Sequence, residues 1–499
     1  MKVFKSAMMA GAAMISCAAM SDSANAQIYS GGGTLASKVY RQLFDCWGAP
    51  VNTSIIAVSS ACSNSAGNVS GFNVQILYAP VGSGAGKRAF ANHDGSTSTA
   101  TGLGTPAGSN TIPYTSTLLS GYGYPNFHFA GSDDVITQSD INTYNAAGGP
   151  AKYGSPIQIP AFSTPVNIVF NGKDGAGNPL NITTATPAGG TSGLNLSRQA
   201  LCGIFSGHIT KWNNPILTAL NGGNVLGTGN ISVVHRSDGS GTTFLTTQAL
   251  IAQCAGVTGP NNETDSSTAL YEFRFSNRGT ATSQCNAAIP VQGANTINWP
   301  DLTNDQCSQP IANPGGGIFL SGAGSSGVVN QVTSTNGAIG YVSPDFVAPV
   351  VSAGLKSANL QSQYDIDNLT GAFQPPTAAR VQTAMSASNP VFDPTSVLNP
   401  INWSRLGLVS NPLLPNSYPI AGFTWLNLYQ CYKAADQTAP VIFNYLTFHY
   451  GDPSAASILS SNGFAPIPQT WLNFVAYAVT IGPNLTSSGN GPCAGKSGA

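Results

Sequence analysis

Chemistry is concentrated in Ile231-Ser-Val-Val-His-Arg-Ser-Asp-Gly-Ser-Gly-Thr-Thr-Phe244, an apolar run that breaks into a glycine-rich turn and then takes up helical spacing. This pattern reads as an anion cradle. Ile231, Val233 and Val234 suit a strand, Gly239 and Gly241 allow close backbone approach, and Phe244, Leu245, Gln248, Ala249 and Ala252 continue as a helix. Ser240, Gly241 and Thr242 then stand at a helix N-terminus, where unpaired N–H groups and the positive end of the dipole favour an anion. Arg236 adds a forked positive charge, and Asp238 is placed to hold the guanidinium in position. A ligand-free Ser/Gly/Asp turn would use the same residues, so the stretch needs support from the rest of the chain.

Two further strand–glycine–helix junctions supply it. After Ile28-Tyr-Ser come Gly31-Gly-Gly-Thr34, at the expected N-cap, and then Leu35, Val39, Tyr40, Leu43 and Phe44 at helical spacing. Phe72, Val74, Ile76 and Tyr78 alternate as in a strand, which breaks at Gly82-Ser-Gly-Ala-Gly86 before Lys87 and Arg88. Those two basic residues suit either a solvated helix face or a positive rim. Phe127-His-Phe-Ala-Gly-Ser-Asp-Asp134 is a short strand ending in two carboxylates. Strands alternating with helices predict an α/β fold, and open sheets of that class bind ligands at the carboxyl ends of their strands.

The chain has 499 residues, room for two domains. Hydrophobic residues make up 42% but charged residues only 7%, and 18 Lys+Arg against 19 Asp+Glu leave a formal charge of −1. That balance argues against nucleic acid as a partner. His93, His128, His208, His235 and His449 have no metal-ligand spacing, and no metal or other cofactor is expected. A basic start, an apolar stretch from Ala7 to Met20 and Ala24-Asn25-Ala26 predict a signal peptide over 1–26, with export of the mature chain. Met14-Ile-Ser-Cys17 matches a lipoprotein box poorly, and no later run is apolar for long enough to span a bilayer. Of nine cysteines, the eight beyond Cys17 suggest disulfides. Nearest-neighbour closure gives 46–62, 202–254, 285–307 and 431–493, one of 105 possible pairings. Residues 92–126 and 255–314 look like loop-rich insertions, Trp212 and the C-terminal aromatics like core. The tail from Pro483 looks tied down only through Cys493.

Taken together, the segments resemble the periplasmic phosphate-binding proteins of bacterial ABC transporters. Gly31–Tyr40 is similar to that family's first glycine turn, Gly82–Gly86 to its second, Phe129–Asp133 to the strand end bearing its carboxylate, and Arg236–Thr242 to its most specific signature. Leu201–Asn213 and Gly337–Val342 match structural segments in the same order. The resemblance implies a type II-like fold of two lobes with the ligand in the interdomain cleft, lobe I being 27–165 with 421–499 and lobe II 166–420. It implies inorganic phosphate as ligand, with Thr34, Leu35, Ser83, Asp133, Arg236, Ser240, Gly241 and Thr242 as its contacts and Asp238 in support. Leu35 stands where the family usually has an aromatic residue, which a backbone contact tolerates. An inner-membrane ABC permease is the implied partner, and no catalytic residue is assigned. An exported phosphatase on the same fold, or an extracellular adhesion or assembly protein, is the alternative. Neither a GxSxG elbow nor an evident base beside Ser83 or Ser240 supports the former.

Overall fold

The computed structural model describes residues 26–51, 56–95, 124–260, 268–271, 297–299, 318–347, 355–390, 399–404, 407–480 and 485–499. Residues 1–25 of the expected signal segment, Cys285 with Cys307, and most of both expected insertions lie outside these residues. The chain divides into two compact units, one of residues 1–163, 388–407 and 423–499, the other of 164–387 and 408–422.

In chain order, the strands that matter here are β1 Ala26–Gly32, β2 Val74–Ala79, β3 Phe129–Ser132, β4 Pro156–Pro165, β5 Asn167–Phe170, β6 Ser232–Arg236, β7 Ile318–Gly322, β8 Ala338–Val342, β9 Lys356–Ser357 and β10 Ala421–Tyr429. The helices are α1 Ser37–Trp47, α2 Ser83–Asn92, α3 Gln138–Ala146, α4 Arg198–Phe205, α5 Gly241–Gln253, α6 Gly324–Ser334, α7 Thr438–Gly451, α8 Pro453–Ser461 and α9 Gln469–Thr480.

The first unit is built on the sheet β2-β1-β3-β10-β4. Strand β1 runs parallel to β2 and β3, while β10 returns antiparallel to β3 with Trp425 opposite Ser132. Every residue of β2 and β10 is buried, as expected of strands covered on both faces. The second unit repeats the plan with the sheet β7-β6-β8-β5-β9, in which β7 and β8 flank β6 in parallel and β5 lies antiparallel to β8. Val169, Val234, Val328, Val332, Ala338 and Val342 form one of its apolar clusters, where α6 packs on the sheet.

Disulfides join Cys46 to Cys62, Cys202 to Cys254 and Cys431 to Cys493, three of the four nearest-neighbour pairs. The C-terminal tail corrects the sequence expectation, because it is held by far more than Cys493. Thr486–Ser487 pairs with Cys431–Tyr432, Gly498 N donates to Lys152 O at 3.0 Å, and Ala499 N donates to Cys431 O at 3.0 Å. A composition rich in Gly and Ser signals weak propensity but says nothing of backbone partners elsewhere in the chain. Among the described residues, no helix is long and apolar enough to cross a membrane.

Candidate functional site

In the first unit, three strand ends bring the expected residues together. The chain leaves β1 through Gly32, whose φ of +133° and close approach exclude any side chain, since a Cβ there would lie 2.0 Å from Gly131 O. Gly33 N then donates to Gly131 O at 2.9 Å. Thr34 and Leu35 follow, both buried. The N-cap of α1 is Ala36, without a side-chain cap, so Thr34 occupies the turn before the helix rather than its cap. Its carbonyl instead accepts the Ser37 hydroxyl at 3.0 Å.

Helix α2 presses its first turn against the same place. A Cβ on Gly86 would come 2.3 Å from Gly32 Cα, and Gly82 N donates to Gly32 O at 2.8 Å. Ser83 is the first residue of α2 and fully buried. Its Oγ accepts from Asp133 N at 3.2 Å and lies 3.4 Å from Asp133 Oδ2. Asp133, just beyond β3, receives a second hydroxyl on its other oxygen, with Thr424 Oγ1 donating to Oδ1 at 2.6 Å.

Its neighbour Asp134 points elsewhere, to Lys87 Nζ at 2.5 Å. Lys87 also pairs with Asp140 at 2.9 Å, the residue that closes a capping box with Thr137 at the start of α3. Burial alone would lower the Lys87 pKa, but Asp134 and Asp140 outweigh it and hold the ammonium above its usual value. Lys87 is therefore an internal strut, and both sequence readings of it, solvated face or positive rim, are corrected; Arg88 is the exposed residue of the two.

In the second unit, Arg236 ends β6 and is buried. Its Nε donates to Asp238 Oδ1 at 2.7 Å and its Nη2 to Oδ2, while Gly324 N, at the head of α6, also donates to Oδ1 at 2.9 Å. Asp238 thus fixes the guanidinium plane and caps a second helix at once. Ser240 is the N-cap of α5, its Oγ accepting from Thr243 N at 3.2 Å, and Gly241 and Thr242 form the first turn. Thr242 Oγ1 is buried and finds no hydrogen-bond partner among the described residues. An orphaned buried hydroxyl costs roughly 1–3 kcal/mol, so a polar ligand at this helix terminus would relieve a real penalty.

Three residues of these surroundings escaped the sequence reading. Thr424 lies in an all-buried strand far along the chain from Asp133, with only its hydroxyl among apolar neighbours as a signal. Tyr341 accepts from Arg236 N at 3.1 Å and shares a 2.8 Å bond with Thr243 Oγ1; burial pushes its phenol up, so it stays neutral. Trp299 belongs to the region treated as an insertion, yet it is fully buried and stacked on His235 with ring centroids 5.0 Å apart. Two residues earlier, Ile297 O accepts from Ser240 N at 2.7 Å. All five histidines are held in hydrogen bonds, His93 to Tyr429, His128 to Tyr29 N, His208 to Ser206, His235 to Arg236 O and His449 to Ala161 O.

Residues 53–475 match the family model of a PBP superfamily domain. Alkaline phosphatase L of Pseudomonas aeruginosa is 29% identical over 408 residues, covering 81% of this chain and 82% of its own. A phosphate-binding protein from an unknown prokaryotic organism is 30% identical over 389 residues, covering 74% of this chain and 85% of its own. Among solved structures, a high affinity periplasmic phosphate-binding protein (PfluDING) bound with phosphate shares 27% identity and a TM-score of 0.58, covering 95% of this chain and 99% of that one. With a family match over most of its length and a 30% identical relative covered over 85% of its own length, the chain belongs to the phosphate-binding proteins of the PBP superfamily.

Proposed function

We propose that this chain is an exported, non-catalytic receptor for inorganic phosphate that hands its ligand to an inner-membrane ABC permease. The observation that carries the reading is that each unit holds a buried charge at the end of a strand: Asp133 in the first, with hydroxyl donors on its oxygens, and Arg236 in the second, with its guanidinium oriented by Asp238. The carboxylate calls for a ligand that still owns a proton and the guanidinium for an anion, and HPO₄²⁻ and H₂PO₄⁻ meet both demands. Thr34, Leu35 through its backbone, Ser83, Ser240, Gly241 and Thr242 supply the neutral donors. Sulfate carries no proton at neutral pH and would set bare oxygen against Asp133, a penalty of several kcal/mol.

Calorimetric titration of ligand-stripped protein with phosphate, arsenate and sulfate tests the proposal. Phosphate and arsenate should bind and sulfate should be weaker by orders of magnitude. A silent phosphate titration would end the reading.

Hydrolysis of phosphate esters is the second reading, supported by the relative named alkaline phosphatase L and by Ser83 Oγ standing 3.4 Å from Asp133 Oδ2. Turnover of p-nitrophenyl phosphate that disappears in Ser83→Ala would establish it. Turnover unaffected by that change would point to a contaminant or to another site.

A further inference from the structure

We propose that Thr424 is a positioning residue for the ligand: it claims one oxygen of Asp133, turns the other towards the anion, and so helps the site to discriminate hydrogen phosphate from sulfate. The inference rests on the reading of Asp133 as a proton acceptor given above.

Thr424 is fully buried on β10, one residue before Trp425, which lies opposite Ser132 at the end of β3. That register brings its hydroxyl beside the residue after the strand. The 2.6 Å separation between Thr424 Oγ1 and Asp133 Oδ1 falls in the range of charge-assisted O–H···O⁻ bonds. A hydroxyl has a single hydrogen to give, and given to Oδ1 it takes one of that oxygen's two lone pairs and makes Oδ1 the less basic of the two oxygens.

The carboxylate as a whole abuts the Gly33 turn, since a Cβ built on Gly33 would lie 2.9 Å from Oδ2 and 3.1 Å from Oδ1. What distinguishes the two oxygens is their hydroxyl: Oδ1 holds Thr424, and Oδ2 stands 3.4 Å from Ser83 Oγ at the head of α2, itself an expected anion contact. A ligand oxygen arriving there can bring a proton to Oδ2, whereas an unprotonated oxygen meets a second negative oxygen. Rotation of the carboxylate would blur this distinction, and the Thr424 bond opposes that rotation. Asp134, the adjacent carboxylate, is already held by Lys87.

Thr424→Val removes the hydroxyl and keeps the branched shape; Thr424→Ser keeps the hydroxyl and loses the methyl. Phosphate and sulfate affinities of both variants and the parent are measured by calorimetry, with thermal melting to establish folding. The Val variant should lose about tenfold or more in phosphate affinity and in the phosphate-to-sulfate ratio, since a hydrogen bond to a charged group is removed. The Ser variant should recover most of that ratio. A folded Val variant with the parental ratio overturns the proposal, as does a Ser variant that loses as much as Val, which would assign the effect to methyl packing. If Val fails to fold, Thr424→Ala is measured in its place, and an unchanged ratio there is equally fatal. A parent that does not bind phosphate would overturn the receptor reading itself, a result distinct from a phosphate-binding parent whose ratio Thr424 does not influence.

Discussion

Arg236 commits Nε and Nη2 to Asp238, so its fork is oriented before any ligand arrives. Pre-orientation of this kind lowers the entropic cost of binding, and a charged hydrogen bond is roughly twice as strong as a neutral one. Arg236→Ala should therefore weaken phosphate binding by about a hundredfold, near 3 kcal/mol, in a calorimetric titration. Arg236→Lys should recover little, because an ammonium cannot grip Asp238 at two points while presenting a planar edge. Parental affinity in the Ala variant would show that the cradle has been misplaced. The reason Arg236 and Asp238 were readable from the chain is that they sit two positions apart on one turn. Thr424 and Asp133 are 291 residues apart, and their bond depends on the register of β10 against β3, which no local pattern carries.

At the scale of elements, the glycine turns were legible because a strand that must stop and a helix that must start within a few residues leave a strong local mark. What could not be read was what packs behind them. Lys87 looked like a surface residue because a basic side chain on a helix usually is one. Its burial follows from two acidic partners contributed by the end of β3 and the start of α3. Removing one member of a buried ionic cluster leaves the others uncompensated, so Lys87→Met should destabilise the fold by about 3 kcal/mol or more, read as a fall in melting temperature. Because the folded ammonium is held above its usual pKa of 10.5, its contribution is fully present below that value and fades as pH rises further. The parent should lose stability in that alkaline range more steeply than Lys87→Met. The same gap separates sequence from structure at Ile297 and Trp299, since nothing in a loop-like composition announces a carbonyl that accepts from the cap of α5.

For the molecule as a whole, three histidines, the buried His128 and His449 and the half-buried His93, set the acid limit. Burial is the leading cause that lowers His93, His128 and His449 to about 4 from 6.5. The unfolded chain therefore binds more protons than the folded one between those values, and stability should fall as pH drops from 6.5 towards 4. Asp45 and Asp134, raised chiefly by burial, take up protons more readily when folded and work in the opposite sense at the lower end of that window. Melting curves across the range check the sign, and His449→Gln should flatten the slope. A slope that His449→Gln leaves unchanged would remove that histidine from the account.

The inward placement of charge also governs how the ligand arrives. Arg41 with Asp45, Lys87 with Asp134 and Arg236 with Asp238 are neutralised pairs inside the protein, and the whole chain has a net charge of −1. With these pairs internal and the remaining charges nearly balanced in sign, the net field projected into solvent over a Debye length of about 8 Å at physiological salt should be weak. Capture should then be an unsteered diffusional encounter, with recognition beginning only on contact. Rapid-mixing measurements should find an association rate that changes by less than about threefold between low and high ionic strength, where a steered receptor's falls steeply. A receptor of this kind would work equally well in dilute and in briny surroundings.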